Sequence, residues 1–148
     1  MARVKIKFPG HSPLFEVCIP VRINDINYGG HLGNDSLLSI LHEARLQMLV
    51  TNGLSELEAG GHGLIMAEVV IAYRGEAFHG DVLAVRIYSE NISRYSFDLL
   101  YEVTTVREGQ RIQVAEARTG MVCFDYGPRK VCEMSHRLKT VLRTEASQ

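Results

Sequence analysis

The densest polar and glycine-rich run in the chain is Asp25-Ile26-Asn27-Tyr28-Gly29-Gly30-His31-Leu32-Gly33-Asn34-Asp35. Three glycines within five residues let the backbone take positive φ or approach a ligand closely. The bend feeds a stretch of helical periodicity, so the amides near Gly30 and His31 stand at a helix N-terminus. Free N–H groups and the helix dipole there favour developing negative charge, which is what an oxyanion site requires. His31 supplies an imidazole, the side chain best suited to general-base work near neutral pH. Asp25 is a second proton acceptor, and strand alternation carried that far sets Asp25 and Asn27 on one face. Asn27 is an amide: it can align a water or a carbonyl but takes no proton. Tyr28 and Asn34 offer polar contacts beside the loop, and Asp35 reads as a helix cap. As architecture alone, the same run is a capped turn with a solvated histidine.

Periodicity identifies the elements that must hold this loop. Residues 14–23 alternate, with Phe15, Val17, Ile19, Val21 and Ile23 on one face, which predicts a strand. Pro20 lacks a donor and places that strand at an edge or a bulge. Asn34 or Asp35 can cap a helix running to about Val50 and stopped by Asn52-Gly53. Leu37, Ile40, Leu41, Ala44 and Met48 form its apolar stripe, Leu38 and Leu49 widen it, and Leu46 and Val50 lie opposite. A helix apolar around most of its girth is expected to be buried. Arg45 falls inside the stripe and needs a partner, with Glu43 and Asp35 as candidates. Glu43 lies about 13 Å along the axis from Asn34, so it reaches the site only if a substrate runs down the helix.

Residues 64–74, 82–90, 94–106 and 110–125 read as strands. Leu83, Val85 and Ile87 point inward in one, and Tyr95, Phe97, Leu99, Tyr101 and Val103 in the next. Residues 64–74 are apolar on both faces, as for a doubly covered strand or a subunit contact at a sheet edge. A phase slip near Val114 predicts a bulge, and Arg107-Glu108-Gly109-Gln110 a hairpin turn. A second helix is expected over about 135–145, with Leu138, Val141 and Leu142 on one side, and a helical turn near 55–59. Strand, long helix and four sequential strands make an α+β layer, an antiparallel sheet of five or six strands curved around one long helix. Residues 1–148 form a single domain in this reading.

Composition excludes several classes. Hydrophobic residues are 46%, charged residues 22% and the formal net charge is −1, which fits a globular chain and gives no nucleic-acid-binding surface. No apolar run nears the roughly 20 residues that span a bilayer, and no apolar signal core follows the basic, alternating start, so the reading is cytoplasmic, with no membrane partner. Cys18, Cys123 and Cys132 are odd in number without paired spacing, which favours buried small hydrophobes over a disulfide framework. The six histidines are scattered, so neither a metal nor a cofactor is expected.

The run from Val21 to Asn34, with Glu43-Ala44-Arg45 after it, resembles the signature of hotdog-fold acyl-CoA thioesterases of the 4-hydroxybenzoyl-CoA thioesterase type. Ile71-Ala72-Tyr73-Arg74 and His79-Gly80-Asp81-Val82-Leu83 resemble that family's second-strand tyrosine and Gly-Asp turn. The resemblance covers about residues 15–125. It implies a hotdog fold, hydrolysis of an acyl-CoA to free acid and CoA, and a homodimer or dimer of dimers paired sheet to sheet with sites at the interface. It implies catalytic positions at Asp25, Asn27, Gly30, His31 and Glu43, and substrate contacts at Tyr28, Asn34 and Tyr73. Arg74, Arg94, Arg129 and Lys130 are then candidates for the CoA phosphates. The family's catalytic carboxylate is the second Asp of Asp-x-Asp, which here is Asn27. That departure leaves two alternatives open: a non-catalytic or regulatory acyl-CoA-binding protein, or a hotdog hydratase or dehydratase.

Overall fold

The computed structural model describes residues 1–143. Its elements are β1 (Phe15–Pro20), a 3-10 turn (Ile23–Asp25), α1 (Asn34–Thr51), β2 (Gly63–Tyr73), β3 (Val82–Glu90), β4 (Ser96–Arg107), β5 (Gln110–Asp125), β6 (Lys130–Val131) and α2 (His136–Arg143). The strands form one antiparallel sheet in the order β1-β3-β4-β5-β2, with β6 beside β5. Residues 144 and 145, the expected end of the second helix, lie outside the described residues.

Alternation makes the inner face of the sheet. Leu83, Val85 and Ile87 of β3 and Phe97, Leu99, Tyr101 and Val103 of β4 are buried, and the α1 stripe from Leu37 to Met48 joins them in one core. The predicted phase slip is a bulge: Val103 faces Ala115 while Thr104 faces Gln113, leaving Val114 unpaired in the ladder. The hairpin between β4 and β5 turns on Glu108 and Gly109, both at positive φ, the geometry that matches strand twist. Pro20 closes β1, which is an edge strand.

Several elements differ from expectation for local reasons. The first strand stops at Pro20 because the Asp25 carboxylate captures the Arg22 amide at 2.8 Å and winds a 3-10 turn. Ile23 is therefore exposed rather than inward, and Asp25 and Asn27 do not share a strand face. Gly33, not Asn34 or Asp35, is the N-cap of α1, with no side-chain cap. The sheet covers only one side of α1, so His42, Glu43, Leu46 and Val50 face outward and the helix is not buried all round. Residues 55–59 form no helix; the Glu58 side chain instead accepts the amides of Gly60 and Gly61. Tyr95 is exposed and precedes β4. The two-residue β6 was not anticipated.

Arg45 is buried as expected, but its partners are Glu56, 3.5 Å from Nε, and the Tyr101 hydroxyl, 3.2 Å from Nη1. Neither Glu43 nor Asp35 pairs with it. Of the cysteines, Cys123 is buried, Cys132 half-buried and Cys18 exposed on β1, so the expectation of three buried thiols holds for one. Burial pushes the Cys123 thiol up to about 12. Because the thiolate is the reactive form, one thiol, Cys18, is expected to react quickly with an aromatic disulfide reagent in the native state, and Cys123 only after unfolding. Mass-mapped labelling measures this; fast native labelling of Cys123 contradicts it.

Candidate functional site

The loop ahead of α1 is closed by its own hydrogen bonds. The Asn27 amide N–H donates to the His31 carbonyl at 2.9 Å, and the Gly30 N–H donates to the Asn27 carbonyl at 3.1 Å. Asn27 Oδ1 accepts the amides of Gly29 at 2.8 Å and His31 at 3.4 Å. Gly30 sits at φ +81°, where a side chain would be strained. Tyr28 projects from the tip, fully exposed. Asp25 is 5% exposed and is taken up by the Arg22 amide and guanidinium.

The chain then crosses to the sheet. The Leu32 N–H donates to the Ala77 carbonyl at 2.8 Å and the Gly33 N–H to the Asp25 carbonyl at 2.9 Å. The two bonds aim α1 with Gly33 at its mouth. A Cβ at Gly33 would stand 2.9 Å from Asp35 Oδ1, so glycine leaves this corner open. With no side-chain cap, the first helical amides, from Asn34 to Ser36, face outward in the way all uncapped helix starts do. The expected donors near Gly30 and His31 are spent inside the turn; the open ones lie one step further on.

β2 supplies the opposite wall. The Tyr73 hydroxyl donates to the Asn34 carbonyl at 3.1 Å, tying the strand end to the first residue of α1. Burial, then the neighbouring Asp35, raise the Tyr73 phenol above its ordinary value, so it stays a neutral donor. The bulged Val114 carbonyl accepts the amides of Arg74 at 2.8 Å and Gly75 at 3.1 Å. Between these walls lies a cleft of about 270 Å³, lined among others by His31, Gly33, Asn34, Leu37, Tyr73 and Glu76. His31 Nδ1 lies 3.1 Å from the Leu32 carbonyl. A carbonyl only accepts, so in the neutral ring Nδ1 carries the proton and Nε2, which stands beside Gly29, is the acceptor.

The cleft thus gathers His31, Asn34 and Tyr73. Asp25, Asn27, Tyr28 and Gly30 build or tip the loop behind it and do not line it. Glu43 stands on the outward face of α1, where Oε2 accepts Gln47 Nε2 at 2.5 Å. Glu76 was not singled out from the sequence, yet among the described residues it is the only carboxylate residue lining the cleft. It sits just past the end of β2, before the Gly80-Asp81 turn, and only the pairing of β2 with the β5 bulge brings it there. Among the described residues, no group of three or more His, Cys, Asp or Glu could hold a metal ion.

A model of the thioesterase-like superfamily matches residues 21–142. This chain belongs to the thioesterase-like superfamily. A 1,4-dihydroxy-2-naphthoyl-CoA thioesterase from Synechocystis superposes with a TM-score of 0.76 at 24% identity, over 86% of this chain and 94% of that one. A 4-hydroxybenzoyl-CoA thioesterase mutant, complexed with 4-hydroxybenzoyl-CoA, gives 0.78 at 16% identity over 86% and 97%. The dynemicin thioesterase gives 0.80 at 17% identity over 88% and 95%. At these identities the likeness shows the fold, which is the hotdog fold the sequence suggested. No curated protein matches. No helix among the described residues is long and apolar enough to cross a membrane.

In this superfamily member the cleft floor depends on the loop 76–81. Arg107 Nη2 donates to Asp81 at 2.6 Å and to the Glu76 carbonyl at 3.2 Å, and the Phe78 amide donates to Asp81 at 2.8 Å. The Arg107 hydrogen bond holds the Asp81 carboxyl below its ordinary value. A depressed folded-state value means the ion pair stabilises fully above the unfolded-state value and is lost as pH falls through the folded one. Asp81→Asn is therefore expected to destabilise the protein by about 1 kcal/mol at neutral pH and hardly at all in acid. Melts from pH 7 to pH 3 measure this; a deficit that grows toward acid contradicts it.

Proposed function

We propose that the protein hydrolyses the thioester of an acyl-CoA to free acid and CoA in the cleft at the start of α1. One observation carries this reading: an imidazole with Nε2 as acceptor, beside an uncapped helix start, in a cleft walled by Leu37 and Val114 and closed by the Tyr73–Asn34 bond. The thioester oxygen docks on the Asn34–Ser36 amides. His31 Nε2 takes a proton from water as its oxygen attacks the carbonyl carbon. The tetrahedral oxyanion is held by those amides, the C–S bond breaks, and the proton passes from His31 to the departing CoA sulfur. Glu76 lies at the cleft as a carboxylate able to orient the water or the imidazolium. Asn27 acts by shaping the loop, and Asp25 by fixing its first turn.

The test is thiol release from purified protein over a series of straight-chain and aromatic acyl-CoAs. Turnover well above the uncatalysed rate is expected for at least one. No turnover, with a thermal shift on adding acyl-CoA, selects a binding protein instead; the amide at Asn27 is the observation that favours that alternative.

Homodimers fit the same reading. Among the described residues β2 pairs with β5 on one side and with no strand on the other, and Ile65, Met66, Val69 and Val70 along it are half-buried or exposed. An apolar edge this long invites strand addition, and a second copy of β2 places the two clefts at the junction. Val69→Lys is expected to convert the dimer to monomer in light scattering after size exclusion. A variant that elutes and scatters as the wild type contradicts the β2 interface.

A further inference from the structure

Residues 3–8 alternate between basic and apolar side chains: Arg3, Val4, Lys5, Ile6, Lys7, Phe8. This stretch has no regular structure but is tied across the outer face of the sheet. Arg74 Nη2 donates to the Val4 carbonyl at 2.7 Å, while its Nε donates to Glu116 on β5 at 2.9 Å. Ile6 lies by Leu100 and Val70, and the Phe8 ring centroid is 5.4 Å from that of Tyr88. Leu100 and Tyr88 point away from the core side, yet both are buried, because the arm covers them. The apolar half of the alternation is thereby explained.

The basic half is not. Arg3, Lys5 and Lys7 are exposed, and among the described residues none has an ion-pair or hydrogen-bond partner. Two of them stand beside the cleft. Residues Met1–Val4 and Ile71–Arg74 enclose a groove of about 320 Å³, which shares Tyr73 and Arg74 with the cleft itself. Arg3 and Lys5 line a neighbouring hollow of about 450 Å³ with Arg74 and Glu116. Glu116 is the carboxylate there, and Arg74 already neutralises it, so the free charge of the hollow is that of Arg3 and Lys5. Lys7 lies farther along the arm, by Glu90 and Arg118.

We propose that the N-terminal arm is a phosphate clamp: Arg3 and Lys5 hold the phosphates of the CoA moiety while its pantetheine arm passes Tyr73 and Arg74 into the cleft. This rests on the acyl-CoA reading above and adds which residues select a CoA thioester over a bare thiol ester. Arg74, spent on Glu116 and Val4, positions the arm and does not bind the phosphates itself.

The test uses Arg3→Gln/Lys5→Gln, which removes charge and leaves Ile6 and Phe8 packed. Two substrates with one acyl group are compared: the acyl-CoA, and the acyl-N-acetylcysteamine, which carries no phosphate. The variant is expected to raise KM for acyl-CoA about tenfold, leave kcat within twofold, and leave both constants for the N-acetylcysteamine ester unchanged. Added salt should raise the wild-type KM for acyl-CoA and not the variant's. Lys7→Gln on the same arm should change neither substrate. An unchanged KM for acyl-CoA, or an equal loss on both substrates, overturns the clamp. If the wild type turns over the N-acetylcysteamine ester and the acyl-CoA with the same KM, the clamp fails and the thioesterase reading stands. If it turns over neither, the reading beneath the clamp fails, and the clamp with it.

Discussion

Replacing His31 by glutamine is expected to lower kcat for acyl-CoA hydrolysis by about 10²–10⁴-fold, the usual contribution of a positioned general base. Glutamine keeps a hydrogen-bonding group near the Leu32 carbonyl, so melting should move little. The reason for so large an effect is geometric. Among the described residues His31 is the one imidazole lining the cleft, and its bond to the Leu32 carbonyl engages Nδ1 and leaves Nε2 beside Gly29 as the second ring nitrogen. Asp25, the other proton acceptor expected from the sequence, has its carboxylate engaged by Arg22; Asp25→Asn should therefore lower Tm and spare kcat. A full-rate His31→Gln enzyme contradicts the assignment, and with a slow Glu76→Gln enzyme it moves the base to Glu76.

The second large effect is on stability. Arg45 is buried on the inner face of α1, its Nε has no hydrogen bond, and among the described residues its carboxylate partner is Glu56 at 3.5 Å. Glu56→Ala strands a guanidinium in the core. Glu56 is partly solvated, so a loss at the low end for a broken buried pair is expected, about 3 kcal/mol. For a chain of this size that is roughly 6–12 °C in Tm. Arg45→Met in the same background removes the stranded charge and should restore most of the loss. Chemical denaturation of the two single variants and the double variant measures the coupling. Strictly additive losses would show that Arg45 does not depend on Glu56.

The two parts of the molecule differ in how far periodicity reaches. β3 runs from Val82 to Glu90, as its alternation indicates, because one face of each central strand meets the core and the other does not. The Val114 slip was readable for the same reason: a bulge moves every later side chain to the opposite face. The outer face of α1 was not, since Leu46 and Val50 are apolar whether they meet protein or solvent in one protomer. Within the site, the composition of the loop pointed to the right place but not to its internal bonds. Asn27 turned inward to close the bend, and the open amides moved on to Asn34. Glu76 reaches the cleft by strand register, and Arg45 meets a residue beyond the end of its own helix; neither pairing leaves a periodic trace.

The direct measurement is a crystal structure with a thioether analogue of an acyl-CoA, in which the carbonyl is retained and cannot be cleaved. The carbonyl oxygen is predicted to lie about 2.7–3.1 Å from at least one amide between Asn34 and Ser36, with a water within about 3.2 Å of His31 Nε2 facing the carbonyl carbon. An analogue seated elsewhere on the sheet, or one whose carbonyl points away from the start of α1 with His31 left in bulk solvent, contradicts the account.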